Sequence, residues 1–209
     1  KDIVYSLNEK TFVAMSPEGD YTSELIETYH KYTEWKINRK KLIDIKGISN
    51  LIKKLKNLEN GTIVHSFTLR TGILYSIANV FIKNKLTGVL SINGLGYLFS
   101  NNLKAKVLKI IVKLFIRRLF NNSFNTIIFQ NINDEDTFIK FSRFKGDTYL
   151  IPGSGIKIEN FTKKNDYSNS KTKIIFASRL LYDKGINNYI ELVNKMSDSD
   201  LDFYIAGEI

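Results

Sequence analysis

The chain of 209 residues is 43% hydrophobic and 12% aromatic, which is enough to fill the core of one large or two small domains and excludes a disordered chain. It contains no cysteine, which excludes disulfide bonds and thiolate metal sites, and no apolar run long enough to cross a bilayer. The formal net charge of +10 favours anionic partners.

The positive charge is concentrated in one stretch of the chain. Residues 61–133 contain no Asp or Glu, and the nine Lys and Arg residues there carry +9 of the net +10. A one-sided charge of this size indicates a lipid surface, a nucleic acid or a phosphorylated substrate as the partner. The alternative interpretation is a basic face that only contacts water.

The chain alternates helix-like and strand-like segments, and this alternation predicts βαβ units in an α/β fold with a parallel sheet. We also expect Asn131 and Asp134 to cap the helix that follows them. The predicted helices, read from apolar residues at helical spacing, are residues 2–9, 23–31, 48–58, 73–82, 103–120 and 134–144. The predicted strands are residues 11–15, 33–37, 62–67, 86–92, 126–130 and 148–151.

A polar segment then interrupts the alternation. A turn-like sequence ends at Gly155, and Lys, Asn and Ser predominate from residue 161 to residue 173. Such a composition is typical of an interdomain connection. We therefore predict a Rossmann-like N-terminal domain at residues 1–155, which we expect to be incomplete at its start, and a linker at residues 156–173. Residues 174–209 are expected to be the start of a second, truncated Rossmann-like domain.

The second domain opens with a strand, a short loop and a helix. Residues 174–177 form an apolar run that predicts a buried strand, and Arg179 and Lys184 follow it in a loop that ends at Gly185. A helix is expected from Ile186, with a further strand at residues 202–206. Two cations between the carboxyl end of a strand and the amino end of a helix are well placed to bind a phosphate. Surface charges beside an ordinary turn are the alternative.

The predicted helix at residues 103–120 carries a basic stripe. At about 100° per residue, Lys106, Lys109, Lys113 and Arg117 fall within about 80° of one another. Such a stripe predicts contact with an anionic membrane surface or with a lipid diphosphate. A core helix with one face in water is the alternative.

Six segments in order resemble one family. They are S-P-E at 16–18 with D-Y at 20–21, I-V-H-S-F-T at 63–68, I-N-G-L-G-Y-L-F at 92–99, F-Q-N at 129–131 with Asp134, I-P-G-S-G-I at 151–156, and A-S-R-L with D-K-G at 177–185. Together they resemble the retaining glycosyltransferases of family 4, formerly glycosyl transferases group 1, which have the two-domain GT-B architecture. The resemblance runs over most of the chain.

The resemblance implies roles for the two cations and for four glycines. Arg179 and Lys184 match the basic pair that contacts the donor diphosphate, where fixed cations offset the negative charge of the leaving group. The four glycines match loops that line the cleft between domains, where glycine lets the backbone approach a ligand; plain turn geometry is the alternative. These glycines are Gly94, Gly96, Gly153 and Gly155.

Two further residues are candidate substrate contacts. His65 lies at the end of a predicted strand and can hydrogen-bond a sugar hydroxyl, although a lone histidine is often a structural residue. Asn93 stands where some relatives of the family carry a histidine that faces the acceptor. No residue is identified as catalytic.

The implied activity is transfer of a sugar, with retention, from a nucleotide-diphosphate sugar (UDP-linked) to a glycan or polyprenyl-linked acceptor in bacterial surface polysaccharide synthesis. No metal and no cofactor are expected, since the nucleotide-sugar is a substrate. We expect a cytoplasmic protein that is peripheral on the inner face of the cytoplasmic membrane.

The chain also departs from the family. The E-x7-E motif of the C-terminal domain is absent before Ile209, and Lys157 replaces a common Asp. We therefore expect little or no catalysis from these 209 residues alone. The alternatives are a non-catalytic relative that binds nucleotide-sugars or lipids, and a GT-B-fold nucleotide-sugar epimerase. A nucleic-acid-binding module would use the basic stretch, but no motif supports it and no nucleic-acid partner is expected.

Overall fold

The computed structural model describes residues 13–17, 19, 22–23, 26, 32–38, 41, 43–95, 113, 115–153, 155, 158–162, 171–196 and 200–208. The chain divides into two compact units, Lys1–Gly155 and Ile156–Ile209. Both units contain parallel β-strands and α-helices, so the fold is mixed α/β and compatible with a Rossmann-like arrangement. The predicted α/β class with parallel sheets is confirmed.

A four-stranded parallel sheet forms the centre of the first unit. Its strands lie side by side in chain order. Partly buried and buried residues alternate along the two central strands, as expected where alternate side chains point to opposite faces. Leu90 and Ile127 are fully buried there. The strands are β3 (Ile63–Phe67), β4 (Thr87–Ile92), β5 (Thr126–Phe129) and β6 (Asp147–Leu150).

Among the described residues of this unit, four helices follow a small parallel pair of strands, β1 (Ala14–Ser16) and β2 (Tyr32–Glu34). Residues 22, 23 and 26, between these two strands, are also helical. Each of the three helices whose bounds are fully described has 11 residues. The helices are α1 (Ile45–Leu55), α2 (Leu69–Asn79), α3, described at residues 113 and 115–123, and α4 (Ile132–Ser142).

The core of the first unit is rich in aromatic side chains. Phe120 of α3 contacts Phe124 in an edge-to-face pair with ring centroids 5.1 Å apart, and it also meets Phe138 of α4 at 5.6 Å. Phe138 in turn packs against Phe129 of β5. These contacts fix α3 and α4 against the sheet, because such aromatic pairs add to the free energy gained by burial.

Caps at both ends of α4 explain its bounds. The Asn131 side chain accepts a hydrogen bond from the backbone N–H of Asp134 at 2.8 Å, which confirms the predicted cap. At the other end Arg143 adopts a left-handed conformation with φ of 50°, which stops the helix.

Helices α1 and α2 begin earlier than the sequence pattern predicts, at residue 45 instead of 48 and at residue 69 instead of 73. The segment directly before Ile73 lacks the apolar run on which the prediction of this helix depends. In the fold, Leu69 is buried, and Gly72 packs so closely against Leu90 that a Cβ would lie 2.8 Å from its Cδ1. Tertiary packing therefore sets this helix start.

The second unit contains one βαβ element: β7 (Thr172–Ala177), α5 (Ile186–Lys195) and β8 (Leu201–Ala206). Its two strands are parallel and pair in register. Tyr189 of α5 is buried against them, and its hydroxyl lies within hydrogen-bond distance of the carbonyl oxygens of Ile174 (2.9 Å) and Tyr204 (2.8 Å). Tyr189 therefore fastens the helix to both strands.

Several predicted elements fall partly or wholly outside the described residues. They are the helix at 2–9, most of the helix at 23–31, the first part of the strand at 11–15 and of the helix at 103–120, and most of the linker.

Among the helices that the structure does describe, none combines the length and the apolar character needed to cross a membrane.

Candidate anion-binding site

The loop after β7 is held in place by the segment after β8. The backbone N–H of Ser178 donates to the carbonyl oxygen of Ala206 at 3.0 Å, and that of Leu180 donates to the carbonyl oxygen of Glu208 at 2.9 Å. The parallel pairing thus continues past both strands. Arg179 lies between these two anchored residues, so its backbone position is fixed.

Gly207 permits this close pairing. A Cβ at Gly207 would lie 1.8 Å from the carbonyl oxygen of Ser178, which is far inside van der Waals contact. Only glycine can occupy the position without moving the loop. Gly207 is absent from the predicted site residues, although a glycine directly after a predicted strand is a signal of close backbone approach.

A single turn of 3-10 helix, Tyr182–Lys184, leads from the loop to α5. The backbone N–H of Lys184 donates to the carbonyl oxygen of Leu181 at 3.0 Å. Gly185 then adopts a left-handed conformation with φ of 83° and serves as the N-cap of α5. Lys184 is therefore the last residue before the cap of the helix.

The first turn of α5 is the part of this helix that a bound anion would meet. Its first turn contains no Asp or Glu, and its N-cap Gly185 has no side chain that could accept from the free N–H groups. The first N–H groups of a helix have no partner within the helix and carry partial positive charge. This end of α5 therefore favours an anion.

Both predicted cations lie on the segment between β7 and α5. The side chains of Arg179 and Lys184 are exposed, and no carboxylate among the described residues pairs with either of them. By contrast, Lys171, at the opposite end of β7, lies 3.2 Å from Asp202 and 3.3 Å from Asp200. Within the described part of the chain, no ion pair therefore neutralises Arg179 or Lys184.

His65 occupies a different place from the one the sequence suggested. It is the third of the five residues of β3, and the strand continues to Phe67 because Phe67 pairs in register with Ser91 of β4. The His65 Nε2 lies 2.8 Å from the Ser91 Oγ, and its ring stacks on Phe67 with centroids 4.2 Å apart. Burial lowers the pKa of His65, so the ring is neutral at pH 7.

Asn93 and Gly94 follow the carboxyl end of β4, and both are exposed. A Cβ at Gly94 would meet nothing within 4 Å, so close approach of protein backbone does not explain this glycine. Gly96 lies outside the described residues.

Gly153 and Gly155 have left-handed φ values of 72° and 70°, and a Cβ at either would also meet nothing within 4 Å. Their backbone conformation is by itself a reason for glycine.

Part of the basic stripe is described. Lys113 and Arg117 are exposed on α3, whereas Ile116 and Phe120 are buried in the core. Ile116 and Phe120 of this helix therefore face the core, whereas Lys113, Arg117 and also the apolar Phe115 face solvent. Lys106 and Lys109 lie outside the described residues.

The side chains that could bind a metal ion do not cluster in the described ranges. Among these residues, no group of three or more His, Asp or Glu side chains is arranged to hold a metal ion. Comparison with known proteins assigns no family, since no protein-family model and no curated protein matches the chain.

Proposed function

We propose that the protein is a retaining glycosyltransferase of GT-B architecture that transfers a sugar from a UDP-linked or similar nucleotide-diphosphate sugar to a glycan or polyprenyl-linked acceptor. One observation carries the proposal. Arg179 and Lys184, both exposed and without a described acidic partner, lie between the carboxyl end of β7 and the amino end of α5. Ligands of parallel α/β folds bind at this end of the strands.

The chemistry requires positive charge at this place. When the bond between the anomeric carbon and the diphosphate oxygen breaks, its electron pair stays on the diphosphate, which becomes more negative. The acceptor oxygen bonds to the anomeric carbon from the same face and loses its proton to the departing group. Arg179 and Lys184 stabilise the leaving diphosphate, because fixed cations favour the state in which negative charge has developed.

Arg179 and Lys184 are suited to bind the diphosphate in different ways. A guanidinium group binds phosphate oxygens through two parallel hydrogen bonds, whereas an ammonium group acts as a compact point charge. The free N–H groups at the amino end of α5 add a third contribution. We expect no metal to be needed for donor binding, because these groups supply the charge that a divalent ion would otherwise supply.

We assign the acceptor side to the first unit. Asn93 is exposed directly after β4, and Ser91 near the end of β4 lies within hydrogen-bond distance of His65 in the middle of β3. Neutral imidazole, hydroxyl and amide groups are suited to the hydroxyls of a glycan. We also propose that the basic side of α3, with Lys113 and Arg117, brings the protein to the inner face of the cytoplasmic membrane.

A nucleotide panel tests the proposal. The chain is titrated with UDP, UMP and uridine at one fixed ionic strength, with calorimetry as the readout. We expect UDP to bind at least roughly tenfold more tightly than UMP, because one charge-assisted hydrogen bond contributes about 1.5–3 kcal/mol. Equal binding of UDP and uridine, or no binding of UDP, would overturn the proposal.

A further inference from the structure

We propose that the first unit contains a second anion-binding site, which binds a phosphate group in a recess on the surface of α3. The recess has a volume of about 280 Å³ and is lined by Arg117, Arg118, Asn121 and Lys145. The first three residues belong to α3, and Lys145 belongs to the loop between α4 and β6. Its residues are separate from Arg179 and Lys184 and belong to the other unit of the chain.

The walls of the recess are fixed by the side chain of Asn121. Its Nδ2 donates to the carbonyl oxygen of Arg117 at 2.6 Å and to that of Arg143 at 3.4 Å. Its Oδ1 accepts from the backbone N–H of Lys145 at 2.8 Å. This single amide therefore joins the last turns of α3 to the loop after α4, so the recess is held by hydrogen bonds on both sides.

The two arginines flank Asn121 on the helix surface. At about 100° per residue, Arg117 lies about 40° from Asn121 on one side and Arg118 about 60° from it on the other. Both side chains are exposed, and no described carboxylate forms an ion pair with Arg117, Arg118 or Lys145. The charges of the recess are thus not used within the described part of the protein.

The positive charge exceeds what the fold needs at this place. Helices α3 and α4 both end beside the recess, and each carboxyl end carries roughly half a negative charge. Together they offset about one of the three cations. Asp147, the nearest acid to Lys145 along the chain, can offset a second. At least one of the three positive charges of the recess therefore remains for a ligand, without counting the charge of the nearby Arg143.

The residue types and the size indicate which ligand fits. Guanidinium groups match the oxygens of phosphate, and Lys145 adds a point charge. The volume lies just below the range of roughly 300–1,000 Å³ typical of pockets for drug-sized ligands. A single phosphate group fits such a recess better than a whole nucleotide-sugar does. The phosphate can belong to a soluble ester or to a lipid headgroup.

The experiment uses the full chain with both Arg179→Ala and Lys184→Ala, so that the two cations of the proposed donor site do not contribute. Binding of inorganic phosphate is measured by NMR titration, with and without Arg118→Ala or Lys145→Ala. We expect each of these variants to weaken phosphate binding by roughly tenfold, because the loss of one charge-assisted contact lowers the affinity by about this factor. Lys83→Ala, which removes an exposed charge of the same unit outside the recess, is the matched control and should leave binding unchanged.

A second arm separates the two sources of phosphate. Sedimentation with phosphatidylcholine vesicles is compared with and without phosphatidic acid. Binding that requires phosphatidic acid and is lost in Arg118→Ala assigns the site to a lipid headgroup, and phosphate binding without vesicle binding assigns it to a soluble ester. The proposal is wrong if neither probe binds, or if Lys83→Ala weakens binding as much as Arg118→Ala does. Arg118→Lys, which keeps the charge, guards against a folding defect and should retain most of the binding.

Discussion

The His65 Nε2 lies 2.8 Å from the Oγ of Ser91, so a hydrogen bond joins the side chains of two neighbouring parallel strands. The contact ties together two residues that are 26 positions apart in the sequence. It also occupies the Nε2 of His65. In the proposed acceptor site, a glycan hydroxyl would therefore meet Ser91 and His65 as a joined pair.

The first prediction concerns pH. Burial lowers the pKa of His65 below its ordinary value of 6.5, so at slightly acidic pH the unfolded chain binds more protons than the folded chain. The stability contributed by neutral His65 is complete above pH 6.5 and is lost as the pH falls towards the folded pKa. Urea unfolding of the wild type from about pH 7 to about pH 5 should show this loss. In His65→Gln, the free energy of unfolding should change less with pH in this interval. The same pH dependence in both proteins would contradict the lowered pKa of His65.

The second prediction concerns Tyr75 of α2, which is 2% exposed. Its hydroxyl has no hydrogen-bond partner among the described residues, and burial raises the pKa of Tyr75 to about 12. Tyr75→Phe removes this unsatisfied group and keeps the ring contact with Phe124. We expect the free energy of unfolding to stay equal or to rise by about 1 kcal/mol. A loss of more than that in thermal unfolding would reveal a partner for the hydroxyl.

The third prediction compares two glycines of the first unit. A Cβ at Gly88 would lie 1.9 Å from the carbonyl oxygen of Ser123, whereas one at Gly94 would meet nothing. Gly88→Ala should destabilise the unit by about 1–3 kcal/mol or more, because a backbone atom must move. Gly94→Ala is the matched control and should change the unfolding free energy by less than about 0.5 kcal/mol. If both substitutions changed the unfolding free energy equally in chemical denaturation, the close approach of Gly88 to the carbonyl oxygen of Ser123 would be contradicted.

The fourth prediction concerns the loop that carries Arg179. Gly207→Ala pushes a methyl group against the carbonyl oxygen of Ser178 and should break the hydrogen bonds that hold the loop. Hydrogen exchange at the amides of Ser178 and Leu180 should then become faster. Glu208→Ala is the control, because it removes an exposed side chain and keeps the carbonyl oxygen that accepts from Leu180. Unchanged exchange in Gly207→Ala would mean that the loop does not depend on this pairing.

The sequence predicted the order and type of the main elements because their apolar periodicity is strong. The parallel class followed from the alternation of strands and helices, and the cap formed by Asn131 followed from residue type alone. The start of α2 could not be predicted, since Leu69 and Gly72 are helical through packing against Leu90 and not through local pattern.

The candidate sites were predictable to different degrees. Arg179 and Lys184 could be placed between a strand and a helix, because both flanking elements were recognisable. The partner of His65 could not be found, because it depends on the register between β3 and β4, and register is fixed by tertiary pairing. The recess beside Asn121 joins residues from two separate segments, and no local signal in the sequence brings Lys145 to α3.

The central claim is that Arg179 and Lys184 bind the diphosphate of a sugar donor. The most direct measurement is the affinity for UDP of the wild type, Arg179→Ala, Lys184→Ala and Lys195→Ala, the last being a control at the opposite end of α5. We predict that Arg179→Ala and Lys184→Ala each weaken UDP binding by roughly 10-fold to 100-fold, because each removes a charge-assisted contact, and that Lys195→Ala has the wild-type affinity. Equal affinity in all four proteins, or equal loss in all three variants, would contradict the claim.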